Sequence, residues 1–337
     1  MKKILAVAMT AVMGLSLAAC GGSSSSSAGS SAASASGVSS AASASGETYK
    51  VGICQLVTHD ALDAATQGFK DALEEALPGQ VEFDEQNAAN DPNTCNTIVN
   101  AFVSDGVDLI LANATPALQA AVAATGDIPV LGTSVTEYGV ALNISDFNGT
   151  VGTNVSGTSD LAPLDQQAAM IQELFPDAQK VGLLYCSAEP NSEYQVNTVA
   201  SYLEEAGLET EKFAFTDSND ASAVTQSACD YADVIYVPTD NTAASNTGII
   251  DGICQPAGVP VVAGEEGICA GCGVATLSIS YYDLGVATGQ MAAKILTGEA
   301  DVSEMPIEYA PNFTKKYNPD IAEALGVTIP EGYEPIA

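Results

Sequence analysis

Apolar residues in this chain come in short continuous runs, and stretches with helical spacing stand between them. Residues 51–56 (VGICQL) read as a buried strand and 62–77 as a helix, followed by a short strand at 81–83. Asp91 then caps a helix whose first position, Pro92, loses nothing by lacking an N–H. Strand, helix and strand follow at 107–112, 116–124 and 128–131. Continuous apolar strands alternating with helices imply a parallel sheet covered on both faces.

The same order recurs. Residues 50–55 (KVGICQ) are echoed by 180–185 (KVGLLY), 107–112 (VDLILA) by 232–237 (ADVIYV), and 128–130 (IPV) by 259–261 (VPV). The Lys-to-Asp separations are 58 and 53 residues and the Asp-to-Pro separations 21 and 27, far too long for a solenoid. Two α/β domains in tandem fit the pattern. The second copy runs out near Ser280, yet the chain continues with an amphipathic helix (282–296) that stops at Gly298. A strand-like stretch (307–310) and a last helix (319–325) follow. Segments left over after two complete domains imply that the chain crosses back between them. That makes a hinge and a cleft where the carboxyl ends of two sheets face each other, the place where ligands sit in open α/β sheets.

The first residues read as an address. Two lysines are followed by the apolar run 4–19, too short for a hydrocarbon core that takes about 20 helical residues. A secretory signal peptide accounts for it. It ends in LAACG at 17–21, which resembles the bacterial lipobox and makes Cys20 the expected lipidation site. Residues 21–46 hold only Ser, Ala, Gly and one Val, a segment with nothing to bury and therefore a flexible tether. The organisation expected is a signal peptide at 1–20 and a tether at 21–47. An N-terminal lobe would span 48–161 plus 281–305, and a C-terminal lobe 162–280 plus 306–337.

Composition narrows the function. The chain of 337 residues carries 9 Lys+Arg, all lysine, against 42 Asp+Glu, for a formal charge of −33. A nucleic-acid binder needs a basic face to replace phosphate counterions, and none can be built from so few lysines. The one histidine, His59, removes multi-histidine metal sites, and no metal or cofactor is expected. There is no Gly-rich phosphate loop and no Gly-x-Ser-x-Gly elbow, so an enzyme is not expected. A surface hydrolase using His59 is the weaker rival.

Several blocks together resemble the type I, tryptophan/tyrosine-binding-like family of ABC-transporter substrate-binding lipoproteins. They are VGICQL (51–56), HDALDA (59–64), QGFKD (67–71), QNAANDP (86–92), ATPALQA (114–120), LYCSAEPNS (184–192), YVPTDNT (236–242) and SYYDLG (280–285). The resemblance covers about residues 48 to 330. It implies an α/β fold of two doubly wound parallel-sheet lobes, periplasmic-binding-protein-like, joined by a multi-strand hinge. It also implies capture of a small molecule, often an aromatic amino acid, for a membrane permease. The protein would work as a monomer held by lipid at the outer face of the cell membrane. The chain departs from the family at 136–138 (TEY, where Thr-Asp-Pro is common) and at Cys186, where Asn is common. Another amino acid, a sugar or a nucleoside stays open as ligand, and so does a sensory role in which the closed form is presented to a receptor.

An amino-acid ligand needs donors for its carboxylate and acceptors for its ammonium. With no Arg for a bidentate clamp, the donors expected are a helix N-terminus and hydroxyls: Thr115 as N-cap with Pro116 behind it, and Ser134 and Thr136 across the cleft. Asp240, at a strand end of the second domain, is the expected ammonium acceptor, or else a simple N-cap. Asn241, Glu189, Asn191 and Glu265 are further candidates, as are Thr58 and His59 just past the first strand. Tyr281 and Tyr282 adjoin the crossover; one of them, Tyr281 being the candidate, is expected to stack on a ligand ring and the other to join the core. With Cys20 assigned to lipid, seven cysteines remain. Cys229 and Cys254 each close a helix on one sheet face and could pair. Cys269 and Cys272 have CxxC spacing but precede a strand, so a local disulfide or two free thiols are expected rather than redox catalysis.

Overall fold

A computed structural model describes residues 48–336; the signal peptide, lipobox and tether lie outside the described residues. The first half of the chain runs β1 (Tyr49–Gln55), α1 (Asp60–Ala76), β2 (Val81–Asn87), α2 (Pro92–Asp105), β3 (Leu109–Asn113), α3 (Thr115–Ala124), β4 (Val130–Val135), α4 (Tyr138–Ala141) and β5 (Val155–Ser159). The second half begins with α5 (Leu164–Leu174), β6 (Lys180–Cys186), α6 (Pro190–Glu205), β7 (Glu209–Phe215), α7 (Ala221–Tyr231) and β8 (Val234–Val237). It continues through α8 (Asn241–Ala244), α9 (Thr247–Ala257), β9 (Val261–Ala263), α10 (Glu266–Cys272) and β10 (Ala275–Ser278). After it come α11 (Tyr281–Leu296), β11 (Glu308–Tyr309), β12 (Thr314–Tyr317), α12 (Pro319–Leu325) and β13 (Glu334–Pro335).

Two sheets result, ordered β11-β5-β4-β3-β1-β2 and β13-β12-β10-β9-β8-β6-β7. Their first five strands have the same doubly wound order, and all pairings are parallel except β10 with β12. The repeated residues explain why. Asp108, just before β3, accepts from Lys50 N at 2.7 Å, and Asp233, just before β8, accepts from Lys180 N at 2.9 Å. Pro129 O accepts from Ile110 N and Pro260 O from Ile235 N, both at 2.9 Å. Each motif therefore fixes the entry and register of a central strand, once per lobe.

The chain passes between the sheets three times: after β5, between β10 and α11, and between β11 and β12. One of these passages differs from expectation. Glu308 and Tyr309 pair with Thr158 and Ser159, so β11 extends the first sheet, whereas the sequence pattern places residues from 306 on in the second lobe. The cause is local: Ile307 N donates to Gly149 O and Ser156 Oγ to Met305 O, which seat the strand beside β5 before the chain leaves. Helix α11 lies against α1. The approach is close because glycines face it: a Cβ on Gly68 would fall 2.1 Å from Tyr282 O, and one on Gly285 2.0 Å from Ala65 O. No described helix is long and apolar enough to cross a membrane.

Candidate functional site

The carboxyl ends of both sheets face one another across a small closed cavity. The first lobe supplies His59 and Leu62 after β1, Ser134 and Thr136 around the end of β4, and Asp160 after β5. The second supplies Asn191, Thr239, Asp240, Asn241, Ala244 and Glu265, and Tyr281 closes the hinge side. The cavity volume is about 10 Å³, space for a single water. Two hydrogen bonds span the lobes: His59 Nε2 meets Asn241 Oδ1 at 3.3 Å, and Asn90 Nδ2 donates to Thr242 Oγ1 at 2.9 Å. Asn241 Nδ2 donates to Glu189 at 2.7 Å, which turns Oδ1 toward His59 and puts the imidazole proton on Nε2. Burial lowers the His59 pKa, so the ring is neutral at pH 7.

Among the described residues, five buried side-chain polar atoms lack a hydrogen-bond partner. Three of them, Ser134 Oγ, Asp160 Oδ1 and Asn191 Oδ1, belong to residues that line this cavity. Buried polar atoms are rarely left so, and their convergence from two lobes marks a place prepared for a polar guest. Asp160 is 4% exposed; its other oxygen accepts from Tyr281 Oη at 2.9 Å. Burial raises its pKa, and the Tyr281 and Thr136 hydrogen bonds only partly offset that. Ser134 has φ +54°, a left-handed conformation uncommon for a non-glycine residue and frequent at binding sites.

Two more buried carboxyl groups wall the second-lobe side, and both cap helices. Asp240 accepts from Ala243 N at 2.8 Å at the start of α8 and from Cys186 N at 2.7 Å. Both its oxygens thus accept from backbone N–H groups, so Asp240 caps α8 while also lining the cavity. Glu265 caps α10 through Gly267 N and Ile268 N. Burial first, with Glu189 nearby, pushes Asp240 up to about 7; burial pushes Glu265 up to about 7 as well. With Asp160, three acids surround the cavity, an environment that favours a cation.

Four expected residues lie elsewhere. Thr58 is exposed and accepts from Asn87 Nδ2 at 3.1 Å. Glu189 holds the start of α8, accepting from the backbone and side chains of Asn241 and Thr242. Thr115 is not the N-cap of α3: Ala114 is, at φ +92°, and Thr115 and Pro116 are the first two helical residues, away from the cavity lining. The residues unforeseen are Leu62, Asp160, Thr239 and Ala244. Of these, Asp160 carried one usable signal, its place directly after a strand and before a crossover. Neither departure from the family pattern at Glu137, Tyr138 or Cys186 touches the cavity. Glu137 caps α4, Tyr138 is buried with Oη donating to Thr158 O, and Cys186 Sγ points at Thr216 O.

Behind Tyr281 and Glu265, which line both spaces, a larger groove of about 570 Å³ runs between α1, α10, the start of α11 and the last crossover. Among the described residues, no group of three His, Cys, Asp or Glu side chains is arranged to hold a metal ion. The seven described cysteines are free thiols. Cys269 and Cys272 sit on α10 and bond backbone carbonyls of their own neighbourhood, Gly273 O and Ile268 O.

A family model described as ABC transporter substrate binding protein matches residues 50–334. A tyrosine-binding protein of Clostridioides difficile is 34% identical over 331 residues, covering 96% of this chain and 92% of that protein. An ABC domain from Streptococcus pneumoniae, solved in complex with L-Trp, superposes with TM-score 0.82 at 34% identity, over 86% of this chain and all of that one. The ligand-free, open structure of a Clostridium difficile substrate-binding protein with adhesive properties is 38% identical. It covers 86% of this chain and 99% of its own, yet its TM-score is 0.66.

Proposed function

Because the chain belongs to the ABC transporter substrate binding protein family, we propose that it captures an amino acid, best an aromatic one, in the interlobe cavity and delivers it to a membrane permease. The observation that carries the reading is that Ser134, Asp160 and Asn191, from two lobes, line one small cavity and each has a buried side-chain oxygen without a partner. The acids around that point suit an ammonium, held by Asp160. The Ser134 hydroxyl, with Thr136 and neutral His59 beside it, offers donors to a carboxylate. The tyrosine-binding relative and the tryptophan-bound structure support an aromatic side chain. Ligand pockets run to roughly 300–1,000 Å³, so the lobes must separate to admit such a molecule and then close around it, less tightly than in this structure, whose cavity has room for one water. A ligand that touches both lobes favours the closed state by its differential affinity, and the permease reads that state. Export through the N-terminal signal, a lipid on Cys20 and the tether fit an extracytoplasmic monomer working beside the membrane, and no chemical step is needed.

Calorimetry of the full chain with tyrosine, tryptophan, phenylalanine and leucine tests the reading. One aromatic amino acid binding one-to-one is expected. Neither heat nor a thermal shift with any of the four would remove the amino-acid proposal.

A further inference from the structure

Cys229 near the end of α7 and Cys254 near the end of α9 have their Sγ atoms 3.5 Å apart, within hydrogen-bonding distance of each other. Cys229 is partly exposed and Cys254 buried; the other five described cysteines are buried too. Cys54 and Cys95 hydrogen-bond to each other, but both are 0% exposed and closed to any reagent in the folded protein. We propose that Cys229 and Cys254 form a thiol–disulfide exchange site that accepts a small-molecule disulfide and resolves it into a bridge stapling α7 to α9.

The two steps balance. The Cys229 thiolate attacks one sulfur of the disulfide RSSR, forming a mixed disulfide and releasing RS⁻. The Cys254 thiolate then attacks Cys229 Sγ, which breaks the S–S bond of the mixed disulfide and releases the second RS⁻. Two protons pass from the cysteines to the two RS⁻, giving two RSH, and two electrons pass from the cysteine pair to RSSR. The order follows from access: Cys229 reaches solvent, and Cys254 meets the mixed disulfide from inside. Burial raises both thiols, and the Cys254 hydrogen bond partly offsets this at Cys229 alone. The sulfurs must approach by about 1.5 Å to reach bonding distance. The bridge would lie within one lobe, so it stabilises that lobe without locking the hinge.

The test is incubation of the full chain with oxidised glutathione, then alkylation under denaturing conditions and peptide mass mapping. A Cys229–Cys254 linked peptide free of glutathione is expected, with Tm raised by about 5–10 °C and reversed by dithiothreitol. Cys254→Ser should hold a lasting glutathione adduct on Cys229, and Cys229→Ser should take up none. A lasting adduct on wild-type Cys229 with Cys254 still alkylatable, or no reaction at Cys229, would overturn the proposal. The mapping on wild type decides even if a variant folds poorly.

Discussion

Asp160 concentrates the chemistry of the cleft in one side chain. One carboxyl oxygen holds Tyr281 Oη; the other has no partner and belongs to a residue lining the cavity, while burial pushes the pKa up. Asp160→Asn keeps an oxygen for Tyr281 and removes the charge. Breaking a buried charge pair costs about 2–5 kcal/mol, so ligand affinity should fall about 30-fold or more by calorimetry. Because burial penalises the native carboxylate and Asn carries no charge, the advantage of the unliganded variant over wild type in Tm should grow as pH rises. Unchanged affinity would clear Asp160 of the ammonium role. Sequence could not single it out: among 42 acids any one carboxylate is weak evidence, and the strand before it, Val155–Ser159, is too polar to look buried. Asp240 had the opposite fate. Its position at a strand end was legible, but whether its oxygens faced a ligand or the backbone of Ala243 and Cys186 depends on tertiary placement.

The helices and central strands were readable because each obeys one period. The edge strands were not. Glu209–Phe215 opens on the polar run Glu, Thr, Glu, Lys and exposes four of its seven residues, and Val81–Asn87 extends four residues past its apolar start. At a sheet edge only one neighbour needs to be covered, so the apolar run shrinks. The α1–α11 contact was hidden for another reason: its signal is the smallness of Gly68, Gly285 and Gly289 on facing helices, which hydrophobic patterning ignores. Gly285→Ala would drive a Cβ into Ala65 O, and overpacking of this kind costs about 1–3 kcal/mol. Urea unfolding should show the midpoint lowered with the slope m unchanged. A variant as stable as wild type would mean that the helices separate freely, and that α11 does not fix the crossover preceding it.

At the scale of the whole molecule, the cleft stores acid–base work that the ligand should release. Asp240 and Glu265 both lie at about 7 in the folded protein, while unfolded carboxyl groups titrate near 4. Between roughly pH 4 and pH 7 the unfolded chain loses protons that the native state keeps, so each group's contribution to stability falls as pH rises and levels off above 7. Asp160 shifts in the same direction. His59 opposes them: its lowered pKa means that the unfolded chain gains a proton first on acidification, so this one group adds stability as pH climbs toward 6.5. Three acids against one imidazole leave a net decline. Carboxylates whose pKa is lowered, such as Asp233 and Glu173, act below this window. Repulsion from the formal charge of −33 also grows with pH, but it resides on the surface, and high salt screens it. Melting curves at high salt should therefore show Tm falling from pH 5 to pH 8. The gain in Tm from a saturating amino acid should widen over the same interval, because its ammonium compensates the carboxylates once they ionise. A Tm that stays level or climbs under those conditions would mean that Asp240 and Glu265 are not held protonated in the cleft, and the electrostatic case for an ammonium guest would lose its footing.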